Sequence, residues 1–323
     1  MSHPPVTLQI SLAPSDWRHA QVLLEHQVRA WRGQVAEILL TVDFHRSSGR
    51  FSANWAEGES NILPLARSIT GARVVPVDYG AASQARVAGE FFGGRPVPTK
   101  DFRGGPYYSY FFGLAEAQHD HVLHADSDMF FGGGSKTWLA EAVTHMQRHP
   151  EILLSAPLPG PPRADGRLLT LAATREPDAP LAYLSDGMSS RLFLMSRTRF
   201  RTAIGALHAR RPPALKNSLI ALLEGNPPRD LPEHLFTDAM RTHGLLRREF
   251  LGEAPGMWSL HPPYRGADFY RKLPELVGRI ESNDMPDGQR GCHDLNASMV
   301  DWSEGEAALR HNRLWRRLLL RLR

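Results

Sequence analysis

The chain of 323 residues contains one cysteine, Cys292, and lacks any run of about 18 consecutive apolar residues. A single cysteine cannot form a disulfide within the chain, which excludes a disulfide-stapled scaffold and favours a reducing compartment. Without a long apolar run, no helix is expected to span a bilayer. The first residues, Met1 to Pro5, show no secretory-signal pattern, so we expect a cytoplasmic protein.

A strong excess of charge of one sign is missing from most of the chain as well. The formal net charge is +4, and a dense group of arginines lies between Arg310 and Arg323. The remainder is close to neutral, which argues against a broad nucleic-acid-binding face. With 42% hydrophobic and 22% charged residues and no internal repeat, the composition is that of a globular protein with a sizeable core.

Strand-like and helix-like segments alternate along the chain. Short apolar stretches predict strands at residues 6–12, 35–42, 72–77, 121–125, 152–156 and 191–195. Apolar residues at helical spacing predict a helix capped by Ser15 or Asp16, and further helices over residues 107–118 and 137–148. Strands that alternate with helices predict an α/β fold with a mostly parallel central sheet flanked by helices.

Aspartates stand at the ends of the predicted strands. Asp43, Asp78 and Asp126 each follow a strand, and Asp128 lies two residues further. Ligands of parallel sheets bind in the crevice beyond the carboxyl ends of the strands. The two carboxylates of Asp126-Ser127-Asp128 can reach one hard divalent cation, which would offset their repulsion in an apolar setting. The alternative is that one aspartate caps the next helix while the other is solvated.

Residues 122–131 read VLHADSDMFF. This segment resembles the apolar strand, D-x-D and apolar sequence of the GT-A glycosyltransferases, especially the inverting, family 2-like ones. The resemblance runs loosely from Val6 to about His261 and is carried by the order of the motifs. It implies Mn²⁺ or Mg²⁺ on the diphosphate of a nucleotide sugar. Asp128 would be the main metal ligand, and Asp126 would contact the ribose or the metal.

The same resemblance implies a single large GT-A-like domain with a helical C-terminal extension. A nucleotide-binding half would cover residues 1–130 and end in the D-x-D motif. A donor-sugar and acceptor half would cover residues 131–275, and the extension, with a basic amphipathic helix, would cover residues 276–323.

Further nucleotide and sugar contacts follow from the resemblance. Around the nucleotide, the positions are Pro14, Asp43, Asp78 and Arg103. Beside the donor sugar, they are Asp186 and Gly187. Each has an ordinary alternative, because aspartates form turns and cap helices, a loop arginine is commonly solvated, and glycine is the usual residue of a turn.

Two acids in a later segment are candidates for the general base. Inversion requires a base that removes the acceptor hydroxyl proton during attack on the anomeric carbon. By resemblance to the acidic acceptor-site helix, Asp238 is the first choice and Glu233 the second, although Thr237 stands where many relatives carry the first acid of a pair. Alternatively, both acids favour a helix N-terminus through the macrodipole.

Two histidines could complete the metal coordination. Some GT-A enzymes supply a histidine from the C-terminal segment, and His261 has the more suitable placement of the two. His293, next to Asp294, could equally form a structural hydrogen-bonded pair. Cys292 and His293 alone do not make a zinc site, because the remaining ligands are missing.

Residues 309–323 place leucines and a tryptophan along one helical face with arginines around it. Such a helix suits the interface of an anionic membrane, as for a peripheral protein at the inner face of a membrane. It equally suits packing on the domain with its arginines in water.

Sugar transfer from a nucleoside diphosphate sugar to an acceptor hydroxyl is therefore the expected function, with a sugar, a lipid-linked compound or a small molecule as acceptor. A non-catalytic sugar- or lipid-binding module on the same fold is the alternative. A D-x-D phosphatase fits less well, because its motif usually follows the first strand of the chain, whereas three strands precede Asp126 here.

Overall fold

Eleven strands form one sheet within residues 4–46 and 54–311, which the computed structural model describes. The strands are β1 (Val6–Leu12), β2 (Glu37–Val42), β3 (Ala72–Pro76), β4 (His121–Asp126), β5 (Phe130–Gly132), β6 (Ile152–Pro159), β7 (Thr174–Arg175), β8 (Ala182–Ser185), β9 (Leu192–Ser196), β10 (Leu246–Phe250) and β11 (Trp258–Leu260). The helices are α1 (Trp17–Trp31), α2 (Trp55–Glu59), α3 (Ile62–Ser68), α4 (Ala81–Phe91), α5 (Tyr108–Glu116), α6 (Trp138–Arg148), α7 (Arg197–Ala203), α8 (Leu215–Glu224), α9 (Pro232–Thr242), α10 (Ala267–Glu281) and α11 (Ser303–His311).

The sheet has the order β3-β2-β1-β4-β9-β6-β10-β8-β7, with β11 beside β6 and β5 beside β11. The first four strands in this order run parallel to one another. β9 is antiparallel to both β4 and β6, and β6 is parallel to β10. The α/β class expected from the sequence, a mostly parallel central sheet flanked by helices, is confirmed. Because β9 pairs with β4, the two predicted halves share one sheet, and their division stays a prediction.

β1 shows how the strand sequence builds the core. Its alternate residues Val6, Leu8, Ile10 and Leu12 are buried in one cluster with apolar side chains of α1. The intervening face is polar and also buried. There Gln9 donates from Nε2 to Thr41 Oγ1 at 2.8 Å and contacts the imidazole of His124 through Oε1. Buried polar groups are tolerated only when they are hydrogen-bonded, so this network determines how β1 and its neighbours align beneath the strand ends.

The C-terminal part of the chain packs on the edge formed by β5 and β11. Phe269, Leu273 and Ile280 of α10 are buried in one cluster with Trp258 and Phe130. In the described part of the chain no helix is long and apolar enough to cross a membrane. The predicted basic helix over residues 309–323 lies outside the described residues from residue 312 onward.

Gly132 illustrates how tightly β5 and β11 are packed, and it supports a stability prediction. A Cβ added at Gly132 would lie 2.1 Å from Cζ2 of Trp258, whose indole is fully buried. We expect Gly132→Ala to lower the free energy of unfolding by about 1–3 kcal/mol through overpacking, as measured by urea denaturation. Gly278→Ala in α10, where a Cβ meets nothing within 4 Å, is the matched control and should stabilise by about 0.5–1 kcal/mol. Equal stability of the two variants would contradict the packing account.

Candidate functional site

The D-x-D segment forms a turn at the carboxyl end of β4. Asp126 is the last residue of the strand, and its carbonyl oxygen accepts a hydrogen bond from the Met129 amide at 3.3 Å. The side chain of Gln27, on α1, donates to the carbonyl oxygens of Asp126 and Met129 at 3.0 and 2.8 Å. Hydrogen bonds therefore hold the turn against α1, and strand β5 begins directly after the turn.

Asp128 is a buried carboxylate, only 1% exposed, that faces cationic groups. Its Oδ2 accepts hydrogen bonds from Nε and Nη2 of Arg265 at 3.2 and 2.5 Å, and Nε2 of His261 lies 3.5 Å away. Burial raises the pKa of Asp128, but the guanidinium of Arg265, with a smaller contribution from His261, outweighs this effect and holds the pKa below its usual range. Oδ1 is buried and has no hydrogen-bond partner among the described residues. Asp128 is thus an ionised carboxylate with one oxygen still available.

His261 lies between two carboxylates. Its Nδ1 is 3.3 Å from Oδ1 of Asp294, and the backbones of these two residues form a short β-bridge. Burial raises the pKa of Asp294, but the hydrogen bond from His261 and nearby positive charge lower it by more. The net shift of the pKa is therefore downward. A carboxylate behind an imidazole fixes the orientation of the ring, as in many metal sites. His293, the other histidine considered from the sequence, has its Nδ1 3.0 Å from Thr170 Oγ1.

Asp16 and His19 line the opposite side of Asp128. Oδ2 of Asp16 accepts from the Ala13 amide at 2.9 Å, and Nε2 of the fully buried His19 lies 3.0 Å from Ser127 Oγ. Burial raises the pKa of Asp16 to about 6. Burial and the charge of Arg265 lower the pKa of His19 to about 3, so this imidazole is neutral at physiological pH. Arg265 approaches Asp16 as well, with Nη1 3.8 Å from Oδ1.

Asp126 has a different environment from Asp128. Its Oδ1 accepts from the Tyr110 hydroxyl at 3.2 Å and lies 3.5 Å from Nε2 of His124. Burial and the Asp126 charge raise the pKa of Tyr110 well above its usual value, with a smaller contribution from Glu233. Tyr110 therefore stays a neutral donor between the D-x-D turn and α9.

The two candidate bases on α9 point to different surroundings. Oε1 of Glu233 accepts hydrogen bonds from the amide and hydroxyl of Ser190 at 3.0 and 2.8 Å, next to Tyr110. Thr237, one turn further along, accepts from the Met188 amide at 3.0 Å. Asp238 instead forms an ion pair at 2.5 Å with Arg210. The structure thus links Glu233, through Tyr110, to Asp126, and pairs Asp238 with a half-exposed arginine.

Asp43 is held in a buried polar cluster after β2. Its carboxylate accepts from Lys100 Nζ at 3.1 Å, from the Tyr79 hydroxyl at 3.0 Å and from the His45 amide at 2.8 Å. The rings of His45, Tyr79 and Tyr108 follow one another with centroid separations of 4.9 and 4.8 Å. This row of aromatic rings begins beside the end of β2, where the resemblance places the nucleoside.

The other nucleotide positions have local partners. Pro14 is buried and begins a short 3₁₀ turn directly after β1. Asp78 is exposed, and its carboxylate accepts from the Gly80 amide at 2.8 Å and the Ser83 hydroxyl at 2.5 Å at the start of α4. Arg103 lies over the Phe102 ring at 5.3 Å. The bond from the amide two residues further on is that of a turn-forming aspartate, one of the alternatives that the sequence also offered.

The two donor-sugar positions lie on a loop after β8. Asp186 is exposed and forms a bidentate ion pair with Arg241 at 2.9 and 3.1 Å. A Cβ added at Gly187 would meet open space, so close packing does not require a glycine there. Their roles toward a sugar remain predictions.

Sequence reasoning missed the two strongest charge partners of the site. Arg265 follows His261 by four residues, and Asp294 lies in the segment that was considered for a different histidine. Tyr110 and Lys100 were also not singled out. Residues 261–265 read HPPYR. The available signal for Arg265 was its position four residues after His261, in a proline-rich segment with few other polar residues.

No protein-family model matches the chain, and no curated protein is similar to it in sequence. Solved structures resemble it at the level of the fold. Glucosyl-3-phosphoglycerate synthase from Mycobacterium tuberculosis, in complex with Mn²⁺, UDP and phosphoglyceric acid, matches with 13% identity and a TM-score of 0.37, over 86% of this chain and 77% of its own.

Two further solved structures show the same kind of likeness. TarS from S. aureus, in complex with UDP-GlcNAc, matches with 11% identity and a TM-score of 0.39, over 88% of this chain and 68% of its own. UTP-bound UGPase from Acinetobacter baumannii matches with 10% identity and a TM-score of 0.40, over 87% of this chain and 95% of its own. These neighbours have the GT-A-type fold that the D-x-D segment led us to expect. Because the TM-scores are below 0.5, the function proposed below is drawn from the geometry of this chain.

The neutral, buried His19 predicts a specific loss of stability in acid. Its pKa is about 3 in the folded chain and 6.5 as the ordinary value, so below pH 6.5 the unfolded chain binds a proton that the folded chain does not. Folding stability is therefore lost as the pH falls through this window. Between about pH 6.5 and about pH 4.5, the free energy of unfolding should fall by about 2–3 kcal/mol less in His19→Gln than in the wild type. Urea unfolding at each pH measures this difference.

The opposite contribution of Asp16, whose pKa is raised, is common to both proteins and cancels in this comparison. His243→Gln, at an exposed histidine, is the control and should follow the wild-type profile. Parallel profiles for His19→Gln and the wild type would show that His19 is not held neutral.

Proposed function

We propose that this protein is a metal-dependent glycosyltransferase that moves a sugar from a nucleoside diphosphate sugar to an acceptor hydroxyl. The observation that carries the proposal is the buried, ionised Asp128 at the strand end, with one unpartnered oxygen and with His261 and Arg265 beside it. A carboxylate in this setting is suited to a cation, and a cation together with a guanidinium is suited to a diphosphate.

Among the described residues, no three histidine, cysteine, aspartate or glutamate side chains lie close enough together to hold a metal ion by themselves. The acids of the D-x-D turn would therefore hold Mn²⁺ or Mg²⁺ jointly with phosphate oxygens of the donor. Asp128 Oδ1 is an available anionic oxygen, Asp126 contributes a second carboxylate at the same strand end, and His261 offers an imidazole nitrogen directed at Asp128 by Asp294. Oxygen ligands suit both cations, and an imidazole favours the transition metal. When bound, the metal would supply positive charge that stabilises the departing diphosphate.

Arg265 gives the unliganded site its counterion. Its guanidinium is bonded to Oδ2 of Asp128 and lies near Asp16. The planar fork of an arginine binds phosphate as readily as carboxylate. We infer that Arg265 would bind a phosphate of the donor instead of Asp128, whose carboxylate would then be free to hold a metal. The chain then keeps its charge balance in both states.

Glu233 is the better placed base for an inverting transfer. Its carboxylate is anchored by Ser190 and adjoins Tyr110, which donates to Asp126. A base must lie within hydrogen-bond reach of the acceptor hydroxyl, next to the donor and the metal. Asp238, the first choice from the sequence, is engaged by Arg210. We infer that the donor nucleoside would bind beside Asp43 and the ring of Tyr79, at the carboxyl end of β2.

Loss of the Asp128 carboxylate tests the proposed metal and nucleotide binding. We expect nucleoside diphosphates with Mn²⁺ to raise the melting temperature of the wild type more than either compound alone, because binding to the native state stabilises it. Asp128→Asn should lose this synergy. Asp284→Asn, at an exposed aspartate paired with Arg279, is the control and should keep it. A wild type that does not respond to any nucleoside diphosphate with metal would overturn the proposed function.

The variant Arg265→Gln separates the role of the guanidinium from that of the metal. With the guanidinium removed, Asp128 is free to bind Mn²⁺ alone, so the metal affinity without nucleotide should rise, as measured by titration calorimetry. The affinity for the nucleoside diphosphate should fall, because a phosphate contact is lost. Unchanged metal affinity would contradict the inferred exchange while leaving the metal role of Asp128 intact.

A comparison of the two acids on α9 tests the base. Glu233→Gln should lower the rate of sugar release from the donor by about 10²–10⁴-fold, with donor affinity retained. Asp238→Asn should stay within about threefold of the wild type, since it removes a half-exposed ion pair. The measurement is steady-state turnover of nucleotide sugars. A larger loss in Asp238→Asn than in Glu233→Gln would return the assignment to Asp238. Donor binding without turnover in the wild type would favour the non-catalytic module.

A further inference from the structure

Helix α8 presents a row of leucines to solvent. Leu215, Leu219 and Leu222 are 75%, 54% and 64% exposed, and they lie at i, i+4 and i+7 on one helical face. The opposite side anchors the helix through Ala221, which is buried with Phe102 and Leu231. Large exposed apolar side chains grouped on one face mark an interaction surface, whereas isolated ones are ordinary.

Exposed cations flank the leucines of α8 along the chain. Lys216 lies on α8, Arg211 precedes the helix, and Arg229 follows it, all three at exposed positions. Glu224, at the end of the helix, is half-buried, and the nearby Asp230 is buried and bonded to the amide of Leu231. The segment from Arg211 to Arg229 therefore combines exposed leucines with three exposed cations, the basic rim of α8, which suits a surface that is apolar beneath and anionic at its edge.

We propose that the leucine face of α8 docks on an anionic lipid bilayer. Three leucines on a helix of ten residues cover far less than the roughly 800 Å² per partner of a stable protein interface, which disfavours a second copy of the chain. The arginine-rich residues 312–323 have the same sign of charge as the rim of α8, which disfavours them as the occupant. An amphipathic helix that lies on a membrane needs only partial insertion of its apolar side chains.

The position of α8 links this surface to the candidate site. Leu231, which packs on Ala221, directly precedes α9, and Glu233 lies in the first turn of that helix. A bilayer beneath α8 would therefore adjoin the acceptor side of the cleft. The class of acceptor that this favours, a lipid-linked hydroxyl compound, rests on the proposed function, whereas the membrane contact does not.

Vesicle flotation of the full chain tests the proposal. The wild type should float with vesicles of phosphatidylcholine and phosphatidylglycerol, and less with phosphatidylcholine alone, with binding weakened by salt. The double variant Leu219→Glu, Leu222→Glu should lower the partition coefficient by at least about tenfold, because two apolar contacts become charged. Leu169→Glu, at a leucine 54% exposed elsewhere on the surface, is the matched control and should bind like the wild type.

The outcomes separate the possible occupants. All the substituted leucines are exposed, so the variants should keep the wild-type unfolding curve. A wild type that stays unbound, or a double variant that floats as well as Leu169→Glu, would overturn the proposal. A dimeric wild type that the double variant converts to monomer would also overturn it, in favour of a second copy. Loss of flotation with unchanged nucleotide-dependent stabilisation would support the surface separately from the proposed function.

Discussion

The ion pair between Asp128 and Arg265 is the interaction on which the site depends. A carboxylate with 1% exposure at the end of a central strand would be strongly disfavoured in its charged form without a counterion. Arg265 supplies that counterion from the segment between β11 and α10, and His261 adds an imidazole from the same segment. The guanidinium of Arg265 is itself 39% exposed, so the pair is buried on the side of the carboxylate only. Removal of Arg265 would leave that buried carboxylate without its main counterion, which is destabilising.

The two aspartates of the D-x-D turn differ because their neighbours differ. Asp128 is bonded to a guanidinium, whereas Asp126 accepts from the neutral hydroxyl of Tyr110. A carboxylate paired with a guanidinium can replace it by another cation at little net cost in free energy, because the carboxylate stays neutralised. A carboxylate supported by a phenol keeps its negative charge exposed to a ligand. Two residues of the same type thus acquire different electrostatic environments from burial and partners alone.

Much of the fold could be predicted from the sequence because its strands are short apolar runs followed by aspartates. The alternation of strands and helices predicted a mostly parallel sheet, and β3, β2, β1 and β4 are parallel. Strand β4 was expected only one residue shorter than it is. The three-residue strands β5 and β11 carry too few residues for a periodic signal, and they become recognisable only through their pairing with each other. Helix α4 was not expected from the sequence. Only Val87, Ala88 and Phe91 of this helix are buried, and so narrow an apolar stripe gives a weak helical pattern.

The candidate site was predictable where its residues follow strands and not where they arrive from distant loops. His261 was selected from the sequence and lies next to Asp128, whereas Arg265, four residues later, was not selected. Loop arginines are usually solvated, and only the approach of the β11–α10 segment to the D-x-D turn distinguishes this one. The choice between Glu233 and Asp238 likewise depends on which side of α9 faces Ser190, and the spacing of acids along the chain does not reveal this.

The pairing of Asp128 with Arg265 has a consequence for how the chain is made. The two residues are 137 positions apart, and Asp294, which orients His261, is synthesised later still. A nascent chain that has emerged only as far as β10 would have to bury Asp128 without its guanidinium. The central sheet should therefore reach its final packing late in translation, once the segment that carries Arg265 has left the ribosome.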